Sequence, residues 1–309
     1  MKSAAKHYLP IVALMTAIVI ICVAVTAVTG TVGMPTSDDI TRVVTTSYPL
    51  YIAARTISQD VDGVTVYNLM GSATGCMHDY QLTPADRVLL DSADLVLMGS
   101  AEAEPFMTDI LPQLDCPVID TVHNARVQAH EESEHHHEHD HAAEDHAWMQ
   151  PSLYMAQCAA AAERLAESDP AHAQAYRDRA EDYAKQIREM NDRLTAAVRT
   201  LPSTVCVTFH DSVKSFAESV GLTVAASLTV GEDSGVSAAD LAAVQQVLAE
   251  HPDALLLYDD QYDIRYTAID TQVSAQQVLA LDTVVAGDRV GDDWLDAMAH
   301  NATLLRREE

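Results

Sequence analysis

The chain has 309 residues, 48% of them hydrophobic, so it can bury a substantial core and form one or two globular domains. Its 46 acidic and 18 basic residues give a formal net charge of −28. This charge repels nucleic acid and anionic membrane surfaces and raises the local concentration of cations. We therefore expect no nucleic-acid partner.

The N-terminal segment predicts export from the cytoplasm. Lys2 and Lys6 precede an uncharged apolar run, Tyr8–Gly33, and about 20 such residues suffice to span a bilayer. Segment 1–33 is therefore a signal peptide or a membrane anchor, and both alternatives stay open. Cys22 resembles the acylated cysteine of a bacterial lipoprotein, but the small residue usual before it is missing. The rest of the chain is expected at the cell surface or in the periplasm.

Segment 41–122 alternates strand and helix patterns, which predicts an N-terminal α/β lobe with an open, parallel-type sheet. Thr83 and Pro84 have the residue types favoured at the N-cap and first position of a helix. Strands are predicted at Arg42–Thr46, Val64–Leu69, Leu95–Met98 and Cys116–Asp120, and a helix at Thr83–Ser92.

Segment 151–200 has the composition of a long, rigid helix between two lobes, interrupted only at Ser168–Pro170, where a new helix can begin. Apolar residues then recur in steps of three and four, which indicates a helix packed along one side of a larger body. These residues are Tyr176, Ala180, Tyr183, Ile187, Met190, Leu194 and Val198.

The alternation resumes over segment 203–309 and predicts a second α/β lobe. Strands are predicted at Thr204–Phe209, Leu222–Ala226 and Ala254–Tyr258, with a last one ending at Leu281, and helices at Val213–Val220, Ser237–Glu250 and Asp292–Leu305. The expected fold is α/β, with two lobes, each a parallel-type sheet flanked by helices, joined by one long rigid helix. Small ligands usually bind in the cleft between such lobes.

Segment 123–147 is a low-complexity insert in which histidines alternate with acidic residues. It contains too few apolar residues to pack a core, so we expect a disordered loop that binds divalent transition metals loosely. The auxiliary metal-binding residues of this loop are His130, His135, His136, His137, His139 and His141.

The histidines at element ends predict a tighter site. His78 follows a Gly-rich loop after the second strand, and His210 follows a strand of the second lobe. Because the carboxyl ends of strands in open α/β sheets face the binding crevice, both should project into one cleft. His146 ends the insert, and Asp282 follows the last strand. Three imidazoles and one carboxylate form a ligand set that Zn²⁺ accepts readily.

Other candidates have simpler interpretations. His172, His251 and His300 lie in helical surroundings and are predicted to be surface residues. Asp211 is expected to cap the following helix, with an outer partnership to His210 as the alternative. No disulfide framework is expected, although one bridge stays open among Cys76, Cys116, Cys158 and Cys206.

At these residues the sequence resembles the solute-binding proteins of zinc-uptake ABC transporters, the ZnuA type of periplasmic solute-binding protein family 9. The resemblance extends from about Arg42 to the end. The matching segments, in family order, are Tyr48-Pro49-Leu50-Tyr51, Met77-His78-Asp79-Tyr80, His146-Ala147-Trp148-Met149-Gln150-Pro151, Phe209-His210-Asp211-Ser212, Asp259-Asp260-Gln261-Tyr262 and Leu281-Asp282-Thr283-Val284.

The resemblance implies a monomer that binds a metal between its lobes and delivers it to a permease driven by a cytoplasmic ATPase. Manganese relatives usually have Glu at the third ligand position, so His210 favours zinc, in agreement with ligand softness. Cys76 stands where zinc members often have Glu. The fourth ligand is therefore open between Asp282, water and Cys76.

The sequence shows no nucleophile-base pair and no HExxH motif, so the chain is not expected to be an enzyme. A zinc hydrolase is the less favoured alternative. An adhesin, or a binder of manganese or another divalent metal, built on the same fold are the others.

Overall fold

The computed structural model describes residues 40–71, 77–124, 146–228, 237–261, 277–285 and 293–306. The predicted signal or anchor at 1–33, with Cys22, lies outside these ranges, as do Cys76 and the six histidines of the insert. Within the described ranges, no helix combines the length and the apolar character needed to cross a bilayer.

The first lobe contains a four-stranded parallel sheet in the order β2-β1-β3-β4. Thr83 caps its second helix as predicted, because its hydroxyl accepts from Asp86 N at 3.3 Å while the Asp86 carboxylate accepts from Thr83 N at 2.7 Å. The fourth strand begins two residues later than expected, since Pro117 has no N–H to donate to a sheet. The elements are β1 Thr41–Thr45, α1 Tyr48–Ile57, β2 Val64–Asn68, α2 Pro84–Asp91, β3 Leu95–Met98 and β4 Val118–Asp120.

The second lobe repeats this arrangement with a parallel sheet in the order β6-β5-β7-β8. Its sheet strands are β5 Val205–Thr208, β6 Thr223–Ser227, β7 Leu255–Asp259 and β8 Val278–Leu281, and its helices are α5 Asp211–Ser219, α6 Ala238–Glu250 and α7 Trp294–Arg306. The predicted fold class is confirmed: two parallel four-stranded sheets are flanked by helices.

The linking segment differs from the single long helix expected. It forms two helices, α3 Pro151–Ser168 and α4 Ala173–Val198. Asp169 leaves the helical conformation (φ −133°, ψ 80°), because the following Pro170 disfavours helical geometry at the residue before it. The helices then pack antiparallel, with Arg177 on Glu163 at 2.8 Å. The break lies within the predicted Ser168–Pro170 segment.

The apolar stripe of α4 is buried as predicted, and it joins the two lobes into one core. Ile187 and Leu194 are fully enclosed. The same core cluster contains Ile52 of α1, Leu97 of β3 and Leu257 of β7. The two sheets are therefore connected through one continuous apolar body.

We expect Ile187→Ala to lower the free energy of unfolding by about 2–5 kcal/mol, because it removes buried methyl groups and leaves a cavity in this shared core. Urea denaturation followed by circular dichroism measures the change. The control is Glu189→Ala on the exposed face of the same helix, expected to change stability by less than about 0.5 kcal/mol. Equal effects of the two substitutions would contradict the packing described.

Candidate metal centre

Three of the predicted ligands meet at one place. His78 lies in a short turn, Met77–Asp79, after β2; His146 immediately precedes the turn Ala147–Met149; His210 follows β5. The ring centres of His78 and His146 are 5.7 Å apart, and those of His146 and His210 are 5.4 Å apart. Side chains from the first lobe, the connecting segment and the second lobe are therefore direct neighbours.

These spacings are close to those of a zinc site. With Zn–N bonds of about 2.0–2.1 Å, two imidazoles on a tetrahedral ion have ring centres roughly 5 Å apart. Among the residues that the structure describes, however, no group of three or more His, Cys, Asp or Glu side chains is already arranged to hold a metal ion. A small inward movement of the rings is therefore needed for coordination.

His210 is fixed by the start of α5. Its backbone is extended (φ −162°, ψ 152°), and its Nδ1 accepts from Ser212 N at 3.2 Å and lies 2.8 Å from Ser212 Oγ. His210 itself is thus the helix cap, and the expectation that Asp211 is the cap was wrong. Asp211 instead occupies the first turn, where a negative charge favours the helix dipole. A proton on Nδ1 donated to Ser212 Oγ would leave Nε2 with the lone pair that a metal requires.

The electrostatic surroundings keep this imidazole neutral. Burial lowers the pKa of His210, and the nearby His78 lowers it further, while the Asp259 and Asp211 carboxylates oppose the shift. Neutral imidazole is the form that binds metal. Burial in turn raises the pKa of Asp259, although hydrogen bonds from Gln261 and Thr283 partly offset this effect.

The fourth candidate, Asp282, belongs to the Asp282 loop, defined here as Asp282–Val284. Trp148 Nε1 donates to Thr283 O in this loop at 2.8 Å, and Trp294 Nε1 donates to Trp148 O at 2.7 Å. Because Trp148 is two residues beyond His146, these bonds hold the His146 segment against the loop that carries Asp282.

The loop also connects with the end of β7. Thr283 Oγ1 donates to Asp259 Oδ2 at 2.8 Å. Partial burial, with the carboxylates of Asp282 and Asp259, raises the pKa of the adjacent Asp260 to about 7. Several carboxylates therefore crowd this edge, and a cation there would relieve their repulsion.

The remaining candidates have separate outcomes. His172, His251 and His300 are exposed, which confirms the prediction that they are surface residues. Cys116, Cys158 and Cys206 are free thiols. Burial raises the pKa of Cys206 to about 12, so its thiolate is scarce at neutral pH.

A buried carboxyl, which the sequence gave no signal to find, lies near the carboxyl end of β3. Glu104 is 0% exposed, and its Oε1 accepts from Gly99 N at 2.9 Å. Burial raises the pKa of Glu104 to about 8, although hydrogen bonds from Thr46 and Gly99 oppose the shift. The folded protein therefore holds this side chain as a neutral acid at pH 7.

Glu104→Gln should stabilise the protein more at high pH than at low pH. The folded state keeps a proton that the unfolded state releases, so wild-type stability falls as pH rises from about 4.5 to about 8. Glutamine removes this loss. Thermal unfolding at pH 5 and pH 8.5 should show the melting temperature of the variant gaining on wild type with pH. Glu102→Gln, exposed on the same loop, is the control; a constant difference for Glu104→Gln would refute the prediction.

Two parallel α/β lobes, with three neighbouring imidazoles from both lobes and the connecting segment, define a two-lobed metal-binding protein. The sequence profile of the family described as "Zinc-uptake complex component A periplasmic" matches residues 43–308. The chain belongs to this family. The family is a metal-binding component of a transporter outside the cytoplasm and not an enzyme, which confirms that expectation and excludes the zinc-hydrolase alternative.

Individual relatives agree with this membership. The High-affinity zinc uptake system protein ZnuA of Paracoccus denitrificans is 27% identical, covering 86% of this chain and 90% of the relative. The structure of the periplasmic zinc binding protein TroA from Treponema pallidum matches with a TM-score of 0.70 at 20% identity, over 87% of this chain and 98% of that one. The laminin binding protein Lmb of Streptococcus agalactiae, described as having adhesin and metal transporting activity, matches with a TM-score of 0.69 at 20% identity over the same shares. At such identities the two structures show the fold alone.

Proposed function

We propose that this chain is the extracytoplasmic zinc-binding component of an ABC metal-uptake transporter, which captures Zn²⁺ between its lobes and delivers it to a membrane permease powered by a cytoplasmic ATPase. His78, His146, His210 and Asp282 are the proposed ligands. The observation that carries the proposal is the adjacency of three imidazoles from three different segments, with ring centres 5.4 and 5.7 Å apart.

The ligand chemistry favours zinc. Imidazole nitrogens suit Zn²⁺, whereas Mn²⁺ prefers carboxylate, carbonyl and water oxygens. A site with three imidazoles and one carboxylate carries one protein charge, which leaves a net positive centre on the bound ion. The carboxylates of Asp259 and Asp260 lie close enough to interact with His210 and Asp282, respectively, and compensate this charge without themselves needing to coordinate.

Capture between lobes also gives a route to release. Because the ligands come from both lobes and from the segment between them, a relative displacement of these segments lengthens several metal–ligand bonds together. A permease that binds both lobes can therefore lower the affinity without any chemical step.

His210→Ala should weaken zinc binding by more than about 100-fold, since loss of even an outer partner of a metal ligand costs about 10–100-fold. Isothermal titration calorimetry against a zinc chelator measures the affinity. The matched control is His172→Ala, an exposed histidine paired with Asp169, which should bind zinc like wild type. Unchanged affinity in His210→Ala would disprove the three-histidine site.

Deletion of 131–144 should leave one tight zinc site per chain. The insert histidines are proposed as an auxiliary, loosely binding tract, so only weak additional binding should disappear. The stoichiometry and affinity come from the same titration, with metal content checked by mass spectrometry. If the deletion abolished tight binding, the principal site would lie in the insert.

A further inference from the structure

The backbone of Asp282 is held by a single side chain from the C-terminal helix. Asn301 of α7 is 0% exposed. Its Oδ1 accepts from Asp282 N at 2.9 Å, and its Nδ2 donates to Asp282 O at 2.9 Å. One planar amide thus satisfies both polar backbone groups of the residue proposed as the fourth ligand.

The Asp282 loop has a conformation that needs such support. Val284 has φ 60°, in the left-handed region that β-branched residues rarely adopt. Val284 N also donates to Asp282 Oδ1 at 2.9 Å, which folds the loop back over the aspartate side chain. Strained backbone of this kind persists only where surrounding contacts determine it.

The helix that supplies the amide is a firm base. Trp294, Met298 and Leu305 of α7 are fully buried and belong to the core shared by both lobes. Asn301 lies among them, so its amide plane is fixed by packing on α7. The direction in which the Asp282 side chain leaves the backbone is consequently set from α7.

We infer that Asn301 is the positioning residue that orients Asp282 for the metal. The inference rests on the proposed function, because it takes Asp282 as a ligand. Asn301 does not contact the metal itself. It acts by fixing the peptide groups on both sides of the Asp282 Cα, and ligands must be held within about 0.5 Å of their working geometry.

A purely structural role for Asn301 makes a different prediction. If the amide only anchored α7, its loss would disturb all ligands, and the effect on affinity would not depend on whether Asp282 is present. If it acts through Asp282, its loss matters only while the aspartate is there. A double-mutant cycle separates these cases.

The experiment measures zinc affinity by chelator competition for wild type, Asn301→Ala, Asp282→Ala and the double variant. Asn301→Ala should weaken binding by about 10–100-fold, no more than Asp282→Ala does. In the Asp282→Ala background it should add less than about 3-fold. Thr303→Ala is the control, because this exposed residue of α7 bonds only Ala299 O within its own helix. Thermal unfolding verifies that each variant is folded, and Asn301→Asp, of nearly equal volume, replaces the alanine variant if that one does not fold.

Two results overturn the inference: wild-type affinity in a folded Asn301 variant, or an equal loss in both backgrounds. It is also overturned, with the histidine site intact, if Asp282→Ala leaves the affinity unchanged while His210→Ala abolishes it. Failure of the wild-type chain to bind zinc tightly would instead disprove the proposed function.

Discussion

The hydrogen bond from the Trp148 indole to Thr283 O determines how the candidate site is assembled. The donor lies two residues after His146 and the acceptor one residue after Asp282. A second buried bond, from Trp294 to Trp148 O, ties the same segment to α7. Each such bond contributes about 0.5–1.5 kcal/mol net, and more is lost when a buried partner is left unpaired. Without this pair, nothing described would hold the end of the insert beside the second lobe.

The two tryptophans also connect the site with the first lobe. The Trp294 ring stacks on Tyr154 with centroids 4.9 Å apart, and Tyr154 OH donates to Pro49 O at 3.0 Å. The carbonyl belongs to the first turn of α1, which follows β1. A continuous path of buried contacts therefore runs from the first lobe through α3 and α7 to the Asp282 loop. The ligands of different lobes are mechanically linked even before any metal binds.

The sequence was sufficient for the elements and for three ligand positions, and insufficient where long-range contacts decide. Strands such as Leu95–Met98 are marked by unbroken buried apolar residues, and His78 and His210 by their place after strands. The cap of α5 was misassigned because Asp is the commoner cap, whereas here the extended backbone of His210 brings its own ring to Ser212 N. The roles of Glu104 and Asn301 depend on partners that only the packed fold supplies.

The net charge and the ligand set act at different distances. A charge of −28 attracts every cation, but at physiological ionic strength the field is screened within about 8 Å, so it raises encounter rates without selecting among metals. Selection requires contact. There, burial lowers the pKa of His210 and keeps its imidazole neutral, so the ring competes for a metal and not for a proton. Acidic surface and buried imidazoles are thus complementary: the surface brings cations to the cleft, and the cleft retains those that prefer nitrogen.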